Sequence, residues 1–320
     1  MWSFFFMNMI EPQTNNIDSM LLQAATNLQK QIGNTPMQLF QHWNDKQVSV
    51  LAKLEWMQLS GSVKARAAYR IILTAIREGK LSKDIRLLDA TSGNTGIAYG
   101  AICRQLGIQV TLCLPENASA ERKVILENLG VQIIYTSPFE GTDGAQAVAL
   151  ELSSKYLEKY YYADQYKNPN NWKAHYNTTA PEILSMVPDI TNFVAGLGTT
   201  GTFIGTGRRL KDCNSKIQLT ALHPDSALHG MEGWKHMETA VIPEIYDPFV
   251  ADENVEVTTE EAYETLIQIY KHEGLLLSPS SAANLAGAFR IARKNSNNVV
   301  VTILPDNAEK YGDIIKKLGL

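Results

Sequence analysis

The sequence predicts an α/β protein built on mostly parallel sheet with helices covering both faces. From about residue 48 onward, short β-branched runs alternate with longer amphipathic runs through short connections. Parallel neighbours cannot be joined by a hairpin, so each passage between strands needs a crossover helix packed on the sheet. In addition, several strand-to-helix junctions are rich in Gly, Ser and Thr, the composition of ligand-binding turns at the carboxyl ends of parallel strands. A length of 320 residues suggests about two domains.

In chain order, residues 48–54 read as a strand and 63–77 as a helix ending near Gly79. Strand 86–90, helix 96–106 and strand 109–114 follow, then helix 118–129, stopped by Gly130, and strand 132–136. A long helix, 142–158, leads to a short strand, 160–163. The pattern resumes with helix 174–186, strand 191–195, helix 200–211 and strand 216–222. Residues 223–253 carry no clear period and are too long for an ordinary loop, which marks them as functional or mobile. Helices 259–272 and 281–293 and strand 298–304 complete the reading.

Composition excludes several classes of function. With 29 basic and 33 acidic residues the net charge is −4, so no global field favours a nucleic acid or an anionic membrane. Cys103, Cys113 and Cys213 are an odd, scattered set without a C-x-x-C pair. They fit neither a disulfide framework nor a zinc site, and they suit a reducing cytoplasm. His223, His229 and His236 lack strict metal-ligand spacing, so no metal is expected. The apolar start, Met1 to Met7, precedes the first basic residue, Lys30, by too far for a secretory or mitochondrial leader. It reads as a loosely held N-terminal arm, and no apolar run is long enough to span a bilayer.

Four junctions carry the chemistry. In Ser60-Gly61-Ser62-Val63-Lys64, the lysine falls in the first turn of a helix, where the dipole disfavours a cation. It either points into solvent or is an uncharged amine fit for nucleophilic work. Residues 89–96, Asp-Ala-Thr-Ser-Gly-Asn-Thr-Gly, place backbone N–H groups and the side chains of Thr91, Ser92, Asn94 and Thr95 around a small anion such as a carboxylate. Residues 196–202, Gly-Leu-Gly-Thr-Thr-Gly-Thr, contain a literal G-x-G-x-x-G. The strand that follows ends in Leu222-His223-Pro224 without the acid that a dinucleotide ribose requires. Hydroxyls on Thr199, Thr200 and Thr202 suit a terminal phosphate instead. Ser278-Pro279-Ser280-Ser281 is a helix start with spare hydroxyls.

A lysine, an anion nest, a phosphate cup and a late serine are the parts of a pyridoxal phosphate site. Together with Ile32-Gly33-Asn34-Thr35-Pro36, Thr91-Ser92-Gly93-Asn94-Thr95-Gly96, Asn168-Pro169-Asn170 and Leu304-Pro305-Asp306, the chain resembles the cysteine synthase (O-acetylserine sulfhydrylase) family, most closely its type-B members. The resemblance implies fold type II of the pyridoxal phosphate enzymes, similar to the tryptophan synthase β subunit: two open twisted mostly parallel sheets with helices on both faces. It implies a smaller mobile domain, 35–165, set between the pieces of a larger one, 1–34 plus 166–320. The implied activity is β-replacement that forms L-cysteine from O-acetyl-L-serine or O-phospho-L-serine and a sulfur nucleophile through an aminoacrylate.

Residue by residue, the resemblance implies that Lys64 carries the cofactor as an internal aldimine and later moves the proton. Asn94 bonds the cofactor's 3′-oxygen. Gly198, Thr199, Thr200, Gly201 and Thr202 hold its phosphate, and Ser280 bonds the pyridine nitrogen. Thr91, Ser92, Thr95 and Gln165 take the substrate carboxylate. Lys235, within the irregular stretch, stands where relatives that use O-phosphoserine place a basic residue, so it meets an anionic leaving group or is a solvated lysine. Expected partners are the small-molecule donor and sulfur source, a second copy in a homodimer, and a sulfur-carrier protein or serine acetyltransferase.

The chain departs from the family pattern at Leu59 (commonly Pro), Ala65 (commonly Asp), and Ala180, Ser278 and Ala282 (commonly Gly). None removes a catalytic group, but crowding near the ring bears on substrate choice. The alternatives are a serine or threonine dehydratase, an amine-using enzyme of the same fold, a nucleotide-binding dehydrogenase and a non-catalytic relative.

Overall fold

A computed structural model of the protein describes residues 18–91 and 93–320. In chain order it contains α1 (Ser19–Asn27), β1 (Met37–His42), β2 (Asp45–Leu54), α2 (Lys64–Arg77), β3 (Arg86–Ala90), α3 (Asn94–Leu106), β4 (Val110–Pro115), α4 (Ala120–Asn128), β5 (Gln132–Thr136), α5 (Gly141–Lys155) and β6 (Tyr160–Tyr162). The second half adds α6 (Asn170–Asn177), α7 (Thr179–Met186), β7 (Asn192–Gly196), α8 (Gly201–Cys213), β8 (Gln218–Pro224), β9 (Glu253–Val257), α9 (Thr259–Glu273), α10 (Pro279–Lys294), β10 (Val300–Leu304) and α11 (Gly312–Lys317).

Two sheets result. One has four parallel strands in the order β5-β4-β3-β6, and the other six in the order β1-β2-β10-β7-β8-β9. In the larger sheet only the β1–β2 pair is antiparallel. Central strands β4 and β10 are buried at every position, as strands covered by helices on both faces must be. Gly79 and Gly130 adopt positive φ just past α2 and α4, so they end these helices as the sequence predicts.

Several elements differ from expectation, each for a physical reason. Residues 37–54 fall in the range expected for the smaller domain, yet β1 and β2 belong to the six-stranded sheet. Leu51 to Leu54 of β2 pair with Val301 to Leu304 of β10, and a partner so distant in sequence leaves no local signal. The strands of the four-stranded sheet run only from Arg86 to Tyr162. The helix expected over 174–186 is two, α6 and α7, because Thr178 leaves helical geometry at φ −130°, ψ −65°. Edge strand β9, which the sequence does not predict, begins where the irregular stretch ends and runs parallel to β8. The expected N-terminal arm and Ser92 lie outside the described residues.

A buried ion network ties the base of α2 to the rest of the fold. Arg66 donates to Glu55 through Nε (2.6 Å) and Nη2 (2.8 Å), and to both oxygens of Glu182 at 2.7 Å. Lys53 also reaches Glu182 at 2.7 Å and donates to the Thr35 carbonyl. Burial opposes the charge on Arg66, but the Glu55 and Glu182 carboxylates outweigh it and hold the guanidinium above its ordinary pKa. Burial likewise opposes the charge on Glu182, and Arg66 and Lys53 overcome it, bringing the carboxyl down to about 2.

Candidate active site

The four junctions converge: Lys64 follows β2 and residues 197–200 follow β7, both of the six-stranded sheet, residues 91–93 follow β3 of the four-stranded sheet, and Ser278 joins α9 to α10. Lys64 opens α2 after a loop in which Ser60 and Gly61 both take positive φ. That loop is pinned to the chain after β10: the Val63 N–H donates to the Pro305 carbonyl at 2.8 Å, and Lys310 Nζ donates to the Gly61 carbonyl at 2.9 Å. Thr91 to Asn94 link β3 to α3, residues 197–200 link β7 to α8, and Ser278 caps α10 by accepting from the Ser281 N–H.

A cleft of about 580 Å³ and a smaller cavity of about 60 Å³ share Lys64, Asn94, Gly198 and Thr199. The cleft adds Thr91, Thr95, Gln165 and Lys235, and the cavity adds Thr200, Thr202 and Ser280. All the described sequence-predicted site residues except Gly201, the first residue of α8, therefore line one continuous space. Residues 227–229, 232–236 and 239–240 of the irregular stretch form one wall.

Burial lowers the Lys64 ammonium from 10.5 to about 8, against the opposing pull of Asp306. The uncharged amine is therefore far more abundant near neutral pH than for an ordinary lysine, which suits a nucleophile, as its place in the first turn of a helix suggests. Asp306 is fully buried and accepts from Asn94 Nδ2 at 2.8 Å and from the Tyr311 hydroxyl at 2.9 Å. Thr95 donates to Gln165 Oε1 at 2.6 Å, and Gln165 Nε2 donates to the Ala90 carbonyl at 3.0 Å. Thr91 Oγ1 accepts from the Gly93 N–H. These bonds brace the turn before α3.

The phosphate cup is shaped by what it cannot accommodate. A Cβ on Gly198 would stand 2.0 Å from the Gly233 carbonyl oxygen, and one on Gly201 2.0 Å from Asn171 Oδ1. Asn171 Nδ2 donates to Thr199 Oγ1 at 3.1 Å, and Thr202 Oγ1 lies 3.3 Å from His175 Nε2. Burial, reinforced by the charges of Arg66 and Lys64, pushes His175 well below its ordinary pKa, so it faces the threonine as a neutral ring. Thr200 takes positive φ, and its hydroxyl, like Asn94 Oδ1, is buried without a hydrogen-bond partner in the protein. Unpartnered buried polar atoms call for a bound group to satisfy them. A glycine-lined helix start with spare hydroxyls, beside a lysine whose pKa is lowered to about 8, fits a phosphorylated aldehyde such as pyridoxal phosphate.

Several residues had no distinctive sequence signal. Asn171 and Asp306 sit beside or within quoted motifs, but nothing in the spacing assigns their bonds. Arg122, bonded to Glu232 and stacked 5.0 Å from the Tyr311 ring, lies close to Gly93. Lys235 is not a solvated lysine: its side chain is 11% exposed and pairs with Asp143 at 2.9 Å. Ser278, a departure from the family pattern, caps α10 and lies 3.2 Å from the Ser280 hydroxyl. Ala65, Ala180 and Ala282 are fully buried in packed surroundings.

A Gly198→Ala substitution is expected to weaken binding of pyridoxal phosphate about tenfold or more, because only backbone movement relieves the contact with Gly233. Fluorescence titration of cofactor-free protein measures it. Unchanged affinity would remove this loop from the phosphate site.

Residues 28–306 match the family described as pyridoxal-phosphate dependent enzyme. The chain is 42% identical over 298 residues to the cysteine synthase of Aquifex aeolicus, covering 90% of this chain and 91% of that protein. It is 35% identical over 288 residues to cysteine synthase B of Escherichia coli, covering 89% and 93%. Among solved structures, the O-acetylserine dependent cystathionine beta-synthase from Helicobacter pylori superposes with a TM-score of 0.82 at 32% identity, covering 89% of this chain and 96% of the other. Among the described residues, no helix is long and apolar enough to cross a membrane.

Proposed function

The chain belongs to the cysteine synthase family of pyridoxal-phosphate dependent enzymes, and on that premise we propose how its own residues carry out the reaction. The activity is β-replacement on an activated serine, giving L-cysteine with a sulfur nucleophile. The observation that carries the assignment of residues is the meeting, in one space, of a lysine with a lowered pKa, a phosphate cup and a carboxylate nest.

When bound, pyridoxal phosphate withdraws electrons from the substrate Cα. Thr199, Thr200 and Thr202, with the backbone of Gly198 and Gly201, hold its phosphate at the start of α8. Asn94, steadied by Asp306 and with its Oδ1 unpartnered in the protein, would hydrogen-bond the cofactor's 3′-oxygen. Ser280 would meet the ring nitrogen with a neutral hydroxyl rather than a carboxylate, a partner that would not drive that nitrogen to protonate.

Thr91, Thr95 and the backbone at the start of α3 bind the substrate carboxylate, and Gln165 braces Thr95. Lys64 anchors the cofactor and then takes the Cα proton. The leaving group departs from Cβ, and the sulfur nucleophile adds to the same carbon. Carboxylate binding at the turn between β3 and α3 draws the four-stranded sheet towards the 223–253 segment and expels water. The free thiols, two of them buried, support a reducing compartment such as the cytoplasm.

The test is cysteine release by the cofactor-loaded protein from O-acetyl-L-serine or O-phospho-L-serine with sulfide. Cysteine from at least one donor is the expected result. No cysteine from either, or pyruvate as the main product in the presence of sulfide, would overturn the reading.

A further inference from the structure

Charges on the cleft wall bear on which activated serine it takes. Its cations are Lys64, Arg122 and Lys235, and its acids Glu140, Asp143 and Glu232. Two ion pairs join the helices of the four-stranded sheet to the 223–253 segment with opposite polarity. Arg122 on α4 meets Glu232, and Asp143 on α5 meets Lys235. The second pair is firmly placed. Asp143 Oδ1 lies 2.9 Å from Lys235 Nζ, while Oδ2 accepts from the Val241 N–H at 3.0 Å. Lys235 Nζ also donates to the Val241 carbonyl at 3.4 Å and lies 5.1 Å from the Tyr166 ring centroid. Asp143 stands in the first turn of α5, where the helix dipole favours a carboxylate.

We propose that Asp143 is a specificity-determining residue: by neutralising Lys235, it keeps the cleft from selecting a serine donor with a dianionic leaving group and reserves it for the neutral ester, O-acetyl-L-serine. The inference rests on the cysteine synthase reading of the site. A phosphate monoester brings roughly two negative charges at neutral pH. Once Lys64 is committed to the cofactor, the cleft's remaining cations are Arg122 and Lys235, each facing a carboxylate, and Glu140 adds a further negative charge. No positive charge is in surplus, and a partly desolvated dianion beside Asp143 is repelled. The acetyl ester carries no such charge, and its amino and carboxylate groups are the same as those of the phosphoester.

The test compares the two donors on the holoenzyme with sulfide. Asp143→Asn keeps an oxygen for the Val241 N–H and removes the charge. The ratio of kcat/KM for O-phospho-L-serine over O-acetyl-L-serine is expected to rise about tenfold, and to return to the wild-type ratio in the double variant Asp143→Asn/Lys235→Met. A second readout needs no turnover: calorimetric binding of L-2-amino-4-phosphonobutyrate, an isostere of O-phosphoserine whose phosphonate cannot leave. Its Kd is expected to tighten about tenfold in Asp143→Asn at low salt, with the gain shrinking as salt rises. Unchanged phosphonate affinity in folded Asp143→Asn would overturn the proposal, as would a gain that survives in the double variant or a wild-type preference for the phosphoester. Absence of cysteine from both donors counts against the enzymatic reading instead, while phosphonate binding still decides the role of Asp143.

Discussion

Replacing Lys64 with Ala is expected to lower cysteine formation by at least about a thousandfold, because it removes both the covalent anchor and the proton-transferring base. The same substitution abolishes the visible absorbance of the loaded protein while leaving the phosphate cup intact. Lys64 lies at the junction of the cleft and the smaller cavity, the one lysine among the described residues that lines both. Its depressed pKa gives the prediction a pH signature. The uncharged amine is the nucleophile, so capture of pyridoxal phosphate by cofactor-free protein quickens as pH rises and levels off above about 8, where an ordinary lysine would still be gaining. Steady-state assay and stopped-flow absorbance measure the two effects. Retention of more than about a tenth of the activity by Lys64→Ala would show that another group takes the Cα proton.

Arg66→Met is expected to be the most damaging single change to stability, at about 3–5 kcal/mol, because it strands two carboxylates inside the protein. Glu55 is fully buried, and the side chain of Glu182 is 12% exposed. Glu55 would retain its bonds from Thr35 and Gln58, and Glu182 its pair with Lys53, but none of these carries a second full charge to balance both acids. The consequence reaches the site as well. Arg66 lies two residues beyond Lys64 in the first turn of α2, and it joins that helix to the end of β2 and to α7. Urea unfolding followed by circular dichroism gives the change. A loss under about 1 kcal/mol would mean that water or a rearranged lysine reaches these acids, and that the network does not fix α2.

How much of this was legible in the sequence follows from how local each feature is. The nest at 89–96 and the cup at 196–202 each lie within a single strand-to-helix junction, so their residues announce the anion they bind. The role of Lys64 was ambiguous from its surroundings alone, because the dipole argument permits a solvated lysine. Only the wider resemblance, and then the lowered pKa beside Asp306, separates the two. The Arg66 network was invisible because Glu182 lies 116 positions from Arg66. Lys235 was singled out, but Asp143, which decides what its charge does, is 92 positions away. The same limit hid the sheet membership of β2, since residues 48–54 read equally well as strand in either sheet, while β1 is not among the predicted strands. Position along the chain fixes local geometry, and pairing across it decides which charges and strands meet.

The most direct test of the central assignment is borohydride reduction of the yellow, cofactor-loaded protein followed by peptide mass mapping. The expected result is a single cofactor-mass increment on the peptide that contains Lys64, absent when Lys64→Ala is treated identically. An increment on Lys53, Lys235 or Lys310 instead, or none at all in protein that releases cysteine, would contradict the placement of the cofactor at the start of α2.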